Sequence, residues 1–191
     1  MYVELAKGAP SNRGTLILKK DLAKYIEPTT PLYRSLYLYD ENAVQQIEGK
    51  GSVSNYYGVR FIDKVLIDID KGQDTNEQTL RRAQQYLVAL ENEGLNLTNS
   101  VQPYFSGSGY HFLIPSTVFN FEASPELPYI VRKTMATLLP GIDEMVYIRS
   151  AIYRVPHTIN LKTNLYKIPL TVNEIMQSKC DDILVQAKEP R

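Results

Sequence analysis

The chain has 191 residues, of which 43% are hydrophobic and 22% charged, enough to bury an ordinary core within one domain. Its 21 Lys and Arg balance 21 Asp and Glu, which excludes a protein that coats nucleic acid by bulk positive charge and leaves room only for a local basic groove. The lone cysteine, Cys180, excludes an internal disulfide framework and a Cys-rich zinc site, and it suits a reducing, cytoplasmic setting.

No run of about 18 apolar residues predicts a membrane span, and the N-terminus lacks the charged-then-apolar pattern of a signal peptide. Residues 16–18 read as a short strand. Asp21 is placed to cap a short helix through Tyr25 and Ile26, stopped by Pro28. Residues 36–39 read as another strand, with 40–46 turning helical. Residues 64–70 form a β-branched and apolar run that ends in acids and is stopped by Lys71-Gly72, as a buried strand would be. The clearest helix follows. Asp74 or Thr75 caps it, Gln78 stands three residues after Thr75 as in a capping box, and Leu80, Ala83, Leu87 and Leu90 recur at helical spacing. Gly94 lies just past its end.

Residues 101–105 and 110–114 read as a hairpin around Ser106-Gly107-Ser108-Gly109. Ser124-Pro125-Glu126 opens a helix, with Pro125 at the first helical position, that runs toward Leu139 and ends at Pro140-Gly141. Residues 145–148, 152–155 and 166–170 are predicted as short strands. Thr171 and Glu174 form a second capping box, opening a last helix toward Ser178. The order strand, helix, hairpin, helix, hairpin-like strands predicts an α+β domain with helices packed on a mainly antiparallel sheet. One domain is expected over residues 1–191: a part without recognisable motifs (1–60), a motif-bearing core (61–171), and a closing helix and tail (172–191).

Three constellations carry chemistry. Asp68 and Asp70 point the same way from one strand end, because side chains on a strand alternate with period two. Two fixed carboxylates repel each other and are costly to bury unless a cation such as Mg²⁺ or Mn²⁺ sits between them; otherwise Lys64 and Lys71 would be their ion-pair partners. Ser106, Gly107 and His111 belong to a glycine-rich hairpin tip, where positive φ brings backbone N–H groups and a hydroxyl close to phosphate oxygens. The spacing is not that of a P-loop. Asp143, with Glu144 as its neighbour and substitute, precedes an acid-free segment over residues 145–171 that holds Arg149, Arg154, Lys162 and Lys167. Alternation with Ile148, Ile152, Val155 and Ile168 predicts these bases on one face, beside the acids, as phosphoryl transfer requires.

In this order the motifs resemble those of the archaeo-eukaryotic primase superfamily, the primase-polymerases of phages and plasmids. The strand Ile67-Asp68-Ile69-Asp70 is similar to the family's Asp-x-Asp strand, and Phe105 to His111 to its Ser-x-His motif. Ile142-Asp143 with Tyr153-Arg154 through Asn160-Leu161-Lys162-Thr163 looks like its third acid and basic strands. The resemblance implies an RRM-like catalytic half joined to an N-terminal α/β half. It also implies a DNA-templated primase or DNA polymerase that makes or extends primers from NTPs or dNTPs on single-stranded DNA, in the bacterial or archaeal host cell of a phage or plasmid. Asp68, Asp70 and Asp143 would bind Mg²⁺ or Mn²⁺. Ser106, Gly107 and His111 would contact the incoming nucleotide, with Arg154 and Lys162 as further phosphate contacts and Arg149, Asn160 and Lys167 beside them. His157 is read as structural or a rim contact.

The family's zinc module is excluded here by the single cysteine. Its helical domain and helicase are expected as partners, in cis or in trans. Two other classes fit the same residues: a non-catalytic single-stranded nucleic-acid-binding module of RRM-like shape, and a template-independent palm-type nucleotidyl cyclase. Tyr33, Tyr37, Tyr56 and Tyr57 are candidates either to stack template bases or to pack in the core and its rim.

Overall fold

Strand β1 (Tyr2–Lys7) alternates residues between two faces, and it pairs antiparallel with β2 (Thr15–Leu18), Val3 opposite Ile17. The computed structural model describes residues 1–47 and 51–191. A 3₁₀-helix, Lys19–Tyr25, follows β2; Leu18 stands at its N-cap, so Asp21 lies inside the first turn rather than capping it. Strand β3 (Leu32–Ser35) flanks β1 on its other side. Strand β4 (Tyr37–Leu38) leads to α1 (Glu41–Ile47), where Asp40 Oδ1 accepts the N–H of Ala43 at 2.7 Å. Strand β5 (Phe61–Ile62) pairs with β4.

The motif-bearing part begins with β6 (Lys64–Ile69) and α2 (Asn76–Asn92). Both halves of the Thr75–Gln78 capping box form, and Leu80, Ala83, Leu87 and Leu90 are buried. After α3 (Leu97–Ser100) come β7 (Gln102–Phe105) and β8 (Tyr110–Pro115). Helix α4 (Leu127–Leu138) starts with Glu126 at its N-cap, so the proline of its first turn is Pro128 and not Pro125. Strand β9 (Ile152–Arg154) is followed by β10 (Ile159–Asn160), β11 (Leu165–Tyr166) and β12 (Ile168–Pro169), then α5 (Val172–Gln177) and α6 (Cys180–Gln186).

Every strand pair is antiparallel, which makes this an α+β fold. The sheet of the motif-bearing part runs β12-β7-β8-β6. Strands β6 and β7 are joined through α2 with β8 inserted between them, which is a split β-α-β unit. The second sheet runs β2-β1-β3-β9. Strand β9 belongs by sequence to the motif-bearing part yet completes this N-terminal sheet. Leu32, Leu38, Val155 and their neighbours bury a small core on the sheet, while the larger core lies around β6, β7 and β8. Each fully buried aliphatic side chain there contributes about 1.5–3 kcal/mol. Among the described residues no helix is long and apolar enough to cross a membrane.

Two expected strands differ. Residues 145–148 do not extend: Asp143 Oδ1 accepts the N–H of Met145 at 2.8 Å and starts a 3₁₀-helix, Glu144–Tyr147. A side-chain acceptor at that position offers the backbone an alternative to a sheet ladder. Residues 166–170 split into β11 and β12 because their partners differ. Strand β11 pairs with β10 and β12 pairs with β7, while Lys167 between them exchanges backbone bonds with Thr158 and His157.

The 3₁₀-helix holds the free edge of β6. The Tyr147 hydroxyl donates to the carbonyl of Leu66 at 2.7 Å, and the Tyr37 hydroxyl donates to the carbonyl of Tyr147 at 2.9 Å. Tyr147→Phe leaves a buried acceptor unmet, so denaturant unfolding is expected to show a loss of about 1–2 kcal/mol with an unchanged m-value.

Candidate active site

The cleft is built from one row across the β12-β7-β8-β6 sheet. Asp68 on β6 stands directly opposite His111 on β8, and His111 stands opposite Tyr104 on β7. Facing residues on adjacent strands share a sheet face. This face turns to the N-terminal sheet, because the Lys167 Nζ lies 4.9 Å from the ring centre of Tyr104 and 5.0 Å from that of Tyr153 on β9. Between the sheets opens a cleft of about 240 Å³, whose walls include Asp68, Asp70, Ser106, His111, Arg154 and Asn160.

His111 is held at both ring nitrogens. Lys167 Nζ is 2.8 Å from Nδ1, and Nε2 is 3.2 Å from Asp68 Oδ1. The nitrogen facing a carboxylate must carry the proton, so Nδ1 is the acceptor and Lys167 the donor. Lys167 also donates to the Arg154 carbonyl at 2.7 Å. Burial and the neighbouring Lys167 charge push His111 below its ordinary value of 6.5, so the imidazole is neutral at pH 7. Burial also drives the Lys167 ammonium well below its ordinary range. For Asp68, burial favours protonation, but the pull of His111 and Lys167 outweighs it and the carboxyl is held low. Its Oδ1 is buried and receives no hydrogen bond of good geometry, although Nε2 stands 3.2 Å away.

Asp70 lies just past β6, exposed at the cleft. The charge of Asp68, then partial burial, then the charge of Asp143 raise its carboxyl, opposed by Arg82 and Lys162. Asp70 therefore feels the charges of both other acids. Lys64 and Lys71 pair with neither Asp68 nor Asp70 among the described ion pairs. Asp143, bound to its own 3₁₀ turn, lines an adjoining groove rather than the cleft, and Glu144 is taken by Arg132 at 2.6 Å.

The hairpin tip shows why glycine is needed at two positions. A Cβ on Gly109 would collide with the carbonyl of Ile69, and one on Gly107 (φ +95°) with the side chain of Asn160. The tip is thus clasped between the end of β6 and β10. Ser106 Oγ accepts the N–H of Gly109 at 3.1 Å, and Asn160 Oδ1 accepts the N–H of Lys162 at 3.1 Å.

The bases do not share a face. Arg154 lies over Tyr33 with Nη1 donating to the Ile159 carbonyl at 2.6 Å and reaches the cleft. Lys162 is exposed on the loop after β10. Lys167 is fully buried and cannot touch a nucleotide, and Arg149 stacks on Tyr57 outside the cleft. Alternation cannot hold across a segment that supplies strands to three sheets. His157 takes a left-handed turn (φ +67°) whose N–H bonds the Lys167 carbonyl, a structural role. Tyr104 joins the site without any local sequence signal, and long-range pairing brings Tyr33, a stacking candidate, and Tyr153, next to Arg154 in the basic-strand motif, beside it.

Among the described residues no three His, Cys, Asp or Glu side chains stand as a ready-made metal-binding group. The donor chemistry nevertheless suits a hard divalent cation: carboxylate oxygens, one of them buried and unbonded, with like-charge repulsion only partly offset by Arg82 and Lys162. No protein-family model matches the chain, and no curated protein is significantly similar to it.

Asp70→Asn is expected to raise the melting temperature in EDTA at neutral pH, because a carboxyl raised on folding is destabilised by its own ionisation; a lower value would show that its charge is compensated. For His111 the sign runs the other way. The folded state resists its protonation, so stability present above 6.5 is lost as pH falls below that value. Denaturation curves between about pH 8 and pH 5 should show a larger loss for wild type than for His111→Gln.

Proposed function

We propose that the chain is a DNA-templated nucleotidyltransferase, a primase or DNA polymerase that makes or extends primers from nucleoside triphosphates during DNA replication. The observation that carries the reading is the pairing of Asp68 with His111, which sets the acids beside the glycine-clasped turn in one cleft. Asp68 and Asp70, with Asp143 at the mouth, would hold Mg²⁺ or Mn²⁺. When bound, these ions neutralise charge on the attacking and leaving oxygens.

The remaining roles belong to the chain. The hydroxyl of Ser106 and the backbone N–H of Gly107, with Asn160 and Arg154, bind and orient the triphosphate, and Lys162 adds positive charge from the loop. His111, 3.2 Å from Asp68, favours its ionised form. Lys167, named by resemblance as a phosphate contact, supports His111 from inside instead. A helicase or a helical accessory domain, in cis or in trans, is the partner this reading implies.

The test supplies primed and unprimed single-stranded DNA, NTPs or dNTPs, and Mg²⁺ or Mn²⁺. Products complementary to the template are expected, reduced about a hundredfold or more by Asp68→Asn or Asp70→Asn. Products that ignore the template would point to a template-independent enzyme. Metal-independent oligonucleotide binding without any product would point to a binding module.

A further inference from the structure

Of the four tyrosines that the sequence offers for base stacking, three are committed elsewhere. Tyr37 and Tyr56 are buried, and Tyr33 lies half-buried under Arg154. Tyr57 is 66% exposed, an unusual position for a large ring whose flanking backbone is so firmly held. The guanidinium of Arg60, fully buried, donates to the carbonyl of Gly58 at 2.9 Å and to that of Tyr56, and it lies over the Tyr56 ring. The carbonyls of the residues on both sides of Tyr57 are therefore tied to one buried cation. The Tyr56 hydroxyl donates to the Val59 carbonyl at 3.1 Å, and it lies so close to Gly58 that any Cβ there would collide with it. Upstream, the buried Glu4 carboxylate accepts the N–H of Val53 at 3.0 Å. The ring is presented on a braced loop, so a ligand would meet it without ordering the chain first.

Arg149 covers part of this ring, its Cζ 5.0 Å from the ring centre. It pairs with no carboxylate among the described residues. Its chain neighbours Ile148 and Ser150 line a groove of about 380 Å³ that also includes Asp143 and Met145. Met145 and Ile148 are 63% and 42% exposed and form an apolar shelf. The groove shares Pro10 and Ile152 with the acid cleft, so the two are continuous.

We propose that Tyr57 and Arg149 form a stacking platform for a base of single-stranded DNA, which the groove leads past Asp143 to the cleft. An exposed aromatic face, a guanidinium without an acid partner among the described residues and an apolar shelf are what an unpaired, negatively charged strand requires: the ring and shelf take bases, and the guanidinium takes a phosphate. The strand is the template, so the inference rests on the polymerase reading, but its binding can be measured without catalysis.

Fluorescence anisotropy with labelled oligo(dT) in EDTA reads the platform directly. Tyr57→Ala and Arg149→Ala are each expected to weaken binding about tenfold, and Tyr57→Phe to stay within about twofold of wild type. In the wild-type protein, oligonucleotides carrying 5-iodouracil should photo-crosslink to Tyr57. Tyr57→Ala binding as tightly as wild type, or crosslinks confined to other residues, overturns the platform while leaving the polymerase reading in place. Wild type that binds no oligonucleotide even at low salt overturns both.

Discussion

The ammonium group of Lys167 joins the two sheets from within. It contacts the His111 ring on one side and the Arg154 carbonyl on the other, and it lies between the rings of Tyr104 and Tyr153. A buried cation is tolerated only when it is hydrogen-bonded and faced by electron-rich groups, and all of these are present. Through it the tautomer of His111, and with it the environment of Asp68, depends on β9 and on the turn at His157. The N-terminal sheet is therefore part of the site even though residues 1–60 contain no motif of their own.

Around that contact the cleft carries two costs that ordinary packing would avoid. Asp68 keeps a buried oxygen without a donor, and Asp70 sits within range of two like charges. Strain of this kind is expected where a ligand is to be bound. The glycines of the hairpin tip serve the same end, because they let β6, the turn and β10 approach until backbone nearly meets backbone.

Buried Arg60 and Glu4 play the corresponding part at the rim. Arg60 is satisfied chiefly by backbone carbonyls, while Glu4 accepts from Arg13 at 2.8 Å and from the Val53 N–H. Arg13 in turn donates to the Ser150 carbonyl at 2.8 Å. Charges placed this way brace loops rather than stabilise a core, and they bring residues of the first sixty to the segment that follows Asp143.

The sequence by itself determined those parts whose cause is local. Periodicity and capping residues placed α2 and α5, the glycine-rich turn placed the hairpin of β7 and β8, and strand alternation put Asp68 and Asp70 on one side. Each depends on contacts within a few residues, where side-chain chemistry and backbone geometry are directly coupled. Only the tertiary structure decided the rest. Residues 145–148 turned helical because Asp143 supplies a cap, residues 166–170 split because their partners lie in different sheets, and four bases in one acid-free segment went to four environments. Lys167 and Arg149 look alike in the chain, as cations near a basic strand. Burial makes one an internal strut and exposure makes the other a surface group, and that difference is set by pairings more than a hundred residues apart, such as β3 with β9, which no local pattern encodes.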